Sequence, residues 1–485
     1  MRLATAKRPG GGALWAGAEA ALSASLSFSS AFVLARVIGP AEIGVGAAAV
    51  ALHVLLWVAV NALFADALVQ SPTVTEDDAA SAFWASTALG AAAGGVQFAL
   101  GWPLARALGD SRLIPMCMLL ATALPLVGAG GAIQGLLTRE RHYRALAGRA
   151  IFGQGLGTAC GIACALAGAG AWALIIQQTM TSAFGALSLL GRAGWSPRFV
   201  CRWESAKALL RLGVPLTLST LVQQGRYRLF AMLIGGTAGT AALGQIHMAF
   251  RLSDTVRELA STALWRLMLP ILSRRQNDLV ALQSALDRLL ALSGFFMFPG
   301  IAALLLTVEP IVELLLGPVW APSGRAATIL IALLVYVFLS FPGGVAMVAR
   351  GGARYPLIAN LASTAAVVSG VLLFRPATPV AAASIWIAGQ LVVAPYMLLA
   401  TARVMHAIPL RQWRDGISTL LTAALAGALA FLLSHELGQT EGPLAVIAAR
   451  LLVGAVIYAS GAVLFLRPIV REVMRGVAPR ALSCP

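Results

Sequence analysis

The chain has 485 residues, of which 59% are hydrophobic and 11% charged, and its 35 basic and 19 acidic side chains leave a net charge of +16. Soluble globular proteins carry about 25% charged residues, so this composition excludes an ordinary soluble domain and makes the bilayer the main solvent. The positive balance is mostly arginine lying between apolar runs, which suits anionic lipid headgroups, and nucleic acid is not an expected partner.

Apolar runs of about 20 residues, each able to cross a hydrocarbon core of about 30 Å, recur fourteen times along the chain. They predict helices at 13–35, 43–65, 80–101, 113–136, 150–169, 171–191 and 212–234. The remaining seven are expected at 240–269, 287–308, 326–348, 356–374, 380–401, 416–435 and 444–466. Glycine and alanine occur throughout, as closely packed transmembrane helices require, and runs such as 47–60 lack the polar/apolar alternation of a β-barrel strand. The expected fold class is therefore an all-α polytopic membrane protein.

Arginine placement orients it, because short basic loops stay on the cytoplasmic side. Arg2, Lys7 and Arg8 precede the first span, Arg139, Arg141, Arg144 and Arg149 follow the fourth, and Arg198, Arg202, Lys207 and Arg211 follow the sixth. Arg274, Arg275, Arg350, Arg354, Arg403, Arg411 and a tail with Arg471, Arg475 and Arg480 continue the pattern. The other side keeps only Arg36, Arg106, Arg112, Arg325 and Arg375. Both termini are thus expected in the cytoplasm. The acidic loop Asp66–Asp78, which lacks a basic residue, runs against the rule.

No stretch between spans exceeds about 30 residues, which leaves no room for a soluble catalytic domain. Neither a GxxxxGK[ST] loop nor an HExxH helix is present, so neither ATP hydrolysis nor zinc chemistry is indicated. The five cysteines are scattered, Cys160 and Cys164 share a helical face without a histidine or carboxylate beside them, and no metal, cofactor or disulfide is expected. Short outer loops favour transport over a membrane glycan polymerase.

A weak repeat supports transport. Residues 35–39 at the end of the first span are echoed at 231–235, about 196 residues later, and Arg139–Tyr143 is echoed at Arg350–Tyr355. Two six-helix lobes, 1–200 and 201–408, with two further helices and a basic tail in 409–485, are the economical explanation, and transporters built this way bind substrate near the midplane.

The segments Leu34-Ala35-Arg36-Val37-Ile38-Gly39-Pro40-Ala41-Glu42-Ile43-Gly44, Gly168-Ala169-Gly170-Ala171-Trp172, Pro270-Ile271-Leu272-Ser273-Arg274 and Gly317-Pro318-Val319-Trp320 resemble those of the polysaccharide transport family. That family comprises lipid-linked oligosaccharide and O-antigen-type flippases of the multidrug/oligosaccharidyl-lipid/polysaccharide exporter superfamily. The resemblance implies a flippase that moves an undecaprenyl-pyrophosphate-linked glycan to the periplasmic leaflet by alternating access, with a coupling cation and other polysaccharide-assembly proteins as neighbours. A drug or metabolite exporter and a lipid II flippase of the same superfamily are the alternatives.

Ionisable groups inside spans cost about 2.5–3.5 kcal/mol or more and face cavities or partners, so they nominate the site. Span seven carries Gln223, Gln224, Arg226, Tyr227 and Arg228, read as a pyrophosphate and sugar site or as side chains reaching the outer headgroups. In span eight His247, Arg251, Asp254 and Glu258 form one helical stripe. Arg251 is read as a substrate ligand oriented by Asp254, or the two as a pair that simply neutralises itself, and Asp254 and His247 are read as carriers of the coupling ion. Glu19, Asp66 and mid-span His53 are the corresponding residues of the N-terminal half, with Glu19 and Asp66 as further ion-coupling candidates or interfacial carboxylates.

Overall fold

The computed structural model describes residues 11–190, 197–352, 354–406, 413–434 and 443–474. The side chains of 11–21 and Gln223 lie outside that description, so the candidates Glu19 and Gln223 do as well, as do Arg411, Arg475 and Arg480. The described residues are helical, without a β-strand.

Helices α1 (Gly11–Gln70), α2 (Glu76–Leu108), α3 (Leu113–Ala121), α4 (Leu124–Arg139), α5 (Tyr143–Leu166) and α6 (Trp172–Leu190) come first. Next are α7 (Trp203–Ser273), α8 (Leu279–Leu316), a short 3₁₀ turn (Pro318–Trp320), α9 (Ala321–Ala349) and α10 (Arg354–Phe374). The chain continues with α11 (Pro379–Leu391), α12 (Ala394–Met405), α13 (Arg414–Ser434), α14 (Pro443–Phe465) and α15 (Arg467–Met474).

Helix α1 has 60 residues and α7 has 71, about 90 Å or more of helix at 1.5 Å per residue. Each is two crossings joined at a break. Gly39 (φ 75°, ψ 169°) and Gly239 (φ 85°, ψ 172°) adopt a backbone conformation essentially restricted to glycine. Helices α3 and α4 make one crossing, with Pro125 opening the second piece, and α11 and α12 make another. Eleven described segments are long and apolar enough to cross a membrane. With the two broken helices counted twice and α5 added, the passes number fourteen, in the expected order.

The two breaks lie at a different offset from the sequence echo. Gly39 corresponds to Gly239, an offset of 200, whereas the sequence echo aligned it with Gly235. Gly39 and Gly239 both have positive φ, whereas Gly235 lies within regular helix.

By compactness the chain divides into Met1–His247 with Arg375–Ala377, and Met248–Phe374 with Thr378–Pro485. In the first unit α4 packs against α1, α2 and α6, burying Phe64, Leu68, Phe83, Ile133, Leu137 and Leu189 together. Helices α5 and α6 run antiparallel at close approach. A Cβ on Gly153 would meet Thr181 O and Gly185 Cα at 2.9 Å, while Gly161 faces Ala173 and Gln177. The α1 and α7 segments after their breaks cross more tightly still. A Cβ on Gly44 would fall 1.8 Å from Thr240 O, and one on Gly244 would fall 1.9 Å from Pro40 O.

The two ends of α2 carry different polar clusters. At one end the fork of Arg112 donates to both Glu42 oxygens (2.9 and 3.1 Å) and to Asp110 (2.8 Å), while Glu42 also accepts the Ala171 amide at 2.7 Å. The hydrogen bonds from Arg112 hold the Asp110 carboxyl below the usual aspartate range. At the other end Thr75 and Asp78 form a capping box, Arg198 pairs with Glu76 (3.1 Å) and Arg202 with Asp77 (2.9 Å). Arg139 donates to the carbonyls of Leu68, Ser71 and Pro72. The acidic loop therefore lies beside the basic segments after spans four and six, which neutralise it; its own lack of arginine is made good by its neighbours.

In the second unit Met268, Leu272, Leu282, Leu286, Val345 and Met405 form the core. Helix α14 is fastened to α8 by Arg450, which donates to Leu306 O (2.6 Å), and by Tyr458, which donates to Phe295 O (2.8 Å). Arg450, an intramembrane arginine, thus has a structural partner.

Candidate functional site

A cavity of about 310 Å³ opens among α1, α4, α5 and α6 of the first unit. Its volume falls at the lower end of small-molecule pockets, about 300–1,000 Å³. Trp57, Asn61 and Ser23 enter from α1, Arg149 and Gln154 from α5, and Gln178, Thr181 and Ser182 from α6. Val127 and the small residues Gly130, Gly153, Gly185 and Ala186 complete the wall. Gly185 leaves the space beside Arg149 open, since a Cβ there would meet nothing nearer than Arg149 Nε at 3.9 Å, whereas Gly130 and Gly153 let α4 and α5 approach α6.

Arg149 is the charged residue of this lining. It sits six residues past the start of α5, about 9 Å along the helix axis, and its Nη1 donates to Gln134 Oε1 on α4. That bond holds the guanidinium at the wall. Ser23 Oγ is buried there without a hydrogen bond among the described residues.

Behind the wall lies a directional relay. His53 is fully buried, with Nδ1 3.1 Å from Gln97 Oε1 and Nε2 3.3 Å from Ser182 Oγ. Because a carbonyl oxygen only accepts, Nδ1 carries the proton and Nε2 accepts from the serine hydroxyl, with the tautomer assigned from the network. Gln178 Nε2 in turn donates to Ser182 Oγ at 3.3 Å. A neutral imidazole thereby connects to the cavity through one hydroxyl.

The residues nominated from the sequence lie elsewhere. Tyr227 Oη and His247 Nδ1 share a 2.7 Å hydrogen bond that bridges the two segments of α7 across the Gly239 break. The Arg228 guanidinium stands 5.1 Å from the Tyr227 ring centroid, within cation–π range. These three residues, assigned separately to substrate and ion, are thus brought together. Gln224 is exposed, and Arg226 and Arg251 are half-buried. Asp254 accepts from Arg257 Nε at 2.9 Å, one helical turn on, with both side chains well exposed. The carboxylate expected to orient Arg251 is thus itself within reach of the arginine at i+3, since i and i+3 are helical neighbours. Asp66 is half-buried near the end of α1, with no ion-pair partner among the described residues. No group of metal-ligating residues occurs among the described residues.

The cavity residues were missed because Arg149 was counted as an inner-loop charge. A signal was present in α6. Gln178, Thr181, Ser182 and Gly185 fall at i, i+3, i+4 and i+7, a polar stripe in an apolar span.

Fourteen helical passes with paired mid-helix breaks and an arginine-bearing polar cavity define an all-α polytopic membrane protein. Residues 33–325 match the family model described as "Polysaccharide biosynthesis protein", and the chain belongs to that family. It is similar to the succinoglycan biosynthesis transport protein ExoT of Rhizobium meliloti, with 25% identity over 298 residues, 61% of this chain and 60% of that protein. It is also similar to an uncharacterized membrane protein in the cps region of Klebsiella pneumoniae, with 21% identity over 61% of each. The chain thus spans about 60% of the length of the curated relatives it matches.

Among solved structures, the inward closed lipid II flippase MurJ superposes with a TM-score of 0.76 over 94% of this chain and 99% of that one, at 14% identity. An inward-facing multidrug resistance MATE family transporter of the MOP superfamily gives 0.58 over 84% and 95%, at 16% identity. At these identities the likeness establishes the fold.

Proposed function

We propose that the protein is an inner-membrane flippase that moves a polyprenyl-pyrophosphate-linked oligosaccharide from the cytoplasmic to the periplasmic leaflet during polysaccharide biosynthesis. Membership of the polysaccharide biosynthesis family and similarity to a succinoglycan transport protein support the class of cargo. The observation that carries the reading is the cavity of the first unit: neutral hydrogen-bonding side chains beside one arginine, at the depth of apolar spans, suit a polar anionic headgroup. A hydrophobic drug would be served by an apolar lining instead.

In this reading the chain acts as two six-pass repeats, 1–200 and 201–408, with 409–485 appended, both termini are cytoplasmic, and access alternates between leaflets. Arg226, Tyr227, Arg228, Arg251, Gln223 and Gln224 of α7 are the candidates for substrate binding. Glu19, Asp66, His247 and Asp254 are candidates for cation coupling. The reading requires no cofactor and no bond-making step at the protein.

Deletion of the gene tests the function. Lipid-linked oligosaccharide should accumulate in the inner leaflet and export should stop, with both restored by a plasmid copy. Normal export together with normal lipid-linked pools in the deletion strain would refute it.

A further inference from the structure

We propose that the cavity in the first unit is the headgroup subsite, divided into a phosphate end at Arg149 and a sugar end formed by Trp57, Asn61, Gln178 and Thr181. The inference rests on the flippase reading and assigns that cargo to residues within one compact unit, a lining that does not include the arginines of α7.

Three observations on the page converge. First, the lining has the chemistry of carbohydrate recognition. Amide side chains such as Asn61, Gln154 and Gln178 both donate and accept, which matches sugar hydroxyls that do the same, and Trp57 offers an aromatic face for the apolar side of a pyranose ring. Second, Arg149 is the charged group in the lining, and its Nη1 bond to Gln134 fixes the guanidinium in place. A planar fork held at the wall recognises phosphate oxygens with a defined geometry, which an ammonium would not. Third, the lining leaves space beside Arg149, where a Cβ on Gly185 would meet only Arg149 Nε at 3.9 Å. Gly130, Gly153 and Gly185 line the space, and a buried Ser23 hydroxyl at its edge has no hydrogen bond among the described residues.

The relay makes the sugar end rigid. Ser182 is held by His53, and Gln178 is held by Ser182, so Gln178 presents a preset donor and acceptor rather than a freely rotating amide. Preorganisation of this kind lowers the entropy lost on binding.

The test uses the purified full-length protein in proteoliposomes, with two probes: undecaprenyl pyrophosphate carrying the native oligosaccharide, and glycan-free undecaprenyl pyrophosphate. Binding and flipping of both are measured for the wild type, Arg149→Ala, Arg149→Lys and the pair Asn61→Ala and Gln178→Ala. Arg149→Ala should weaken binding of both probes at least tenfold, with Arg149→Lys recovering part of the loss. Asn61→Ala and Gln178→Ala should weaken binding of the glycosylated probe at least fivefold and leave the bare pyrophosphate unchanged. Normal amounts of each variant in the membrane guard against misfolding. If the wild type flips the glycolipid and Arg149→Ala does so equally well, the subsite is wrong while the flippase reading stands. If the amide variants lose both probes alike, the sugar end is wrong. A wild type that neither binds nor flips the glycolipid overturns both proposals.

Discussion

The crossing of Gly44 and Gly244 should tolerate no side chain. A Cβ at position 44 would lie 1.8 Å from Thr240 O, and one at 244 would lie 1.9 Å from Pro40 O, both backbone atoms that no rotamer change can move. Ordinary contact begins at 3.4 Å, so alanine at either position must push the segments apart by roughly 1.5 Å along a whole turn of helix, the overpacking mode of destabilisation. We expect a cost of about 3 kcal/mol from that displacement, offset by about 1 kcal/mol because alanine is the better helix former. The net loss is on the order of 2 kcal/mol. Gly95 supplies the control, since its Cβ would meet nothing within 4 Å, and Gly95→Ala should be neutral or slightly stabilising. Thermal unfolding of the detergent-purified variants, followed by tryptophan fluorescence, should rank Gly95→Ala at or above the wild type and both crossing variants well below it. The double variant should lose less than the sum of its parts, because one displacement accommodates both methyl groups. Melting of Gly44→Ala and Gly244→Ala together with Gly95→Ala would refute the reasoning.

Further outcomes follow from the polar clusters. Arg112→Ala should remove the fork that joins Glu42 to Asp110 and lower thermal stability by on the order of 1 kcal/mol, as expected for a half-exposed pair within a network, with the loss diminished in high salt. Since Arg112 depresses the Asp110 carboxyl, its contribution is complete above the ordinary aspartate range and should fade as pH falls below that range through the lowered folded value; an acid titration of stability for wild type and Arg112→Ala checks the sign. His53→Leu leaves Gln97 and Ser182 buried without their shared partner and should cost about 1–3 kcal/mol, part of which His53→Leu with Gln97→Leu recovers in the same melt. Reporter fusions after Asp77 and after Arg202 should give the same cytoplasmic signal, because the two positions are paired in the fold, and opposite signals would break the assigned topology. Alanine at Arg226, Arg228 and Arg251, made at normal abundance, should lower glycan export in a complementation assay, and full export in the triple variant would dismiss the α7 candidates.

Much of this architecture was legible in the chain itself. The fourteen crossings follow from run length alone, because unsatisfied peptide groups in hydrocarbon leave the helix as the way for such runs to cross, and α1 through α14 fall where the hydropathy places them. The span positions needed no knowledge of partners. What the sequence left open was every pairing between distant segments. The acidic loop Asp66–Asp78 looked anomalous until Arg139, Arg198 and Arg202 were seen beside it. Asp254 has one arginine three residues before it and another three residues after, and only the fold shows its 2.9 Å bond with Arg257. The correspondence of Gly39 with Gly239 depended on a backbone torsion, which residue identity does not encode. Arg149 read as a loop charge because a helix's register tells which side chains share a face but not which neighbouring helix that face meets. Only tertiary packing, by setting α5 against α6 through glycines and α4 beside α1, turned one arginine and a polar stripe from separate spans into a single cavity.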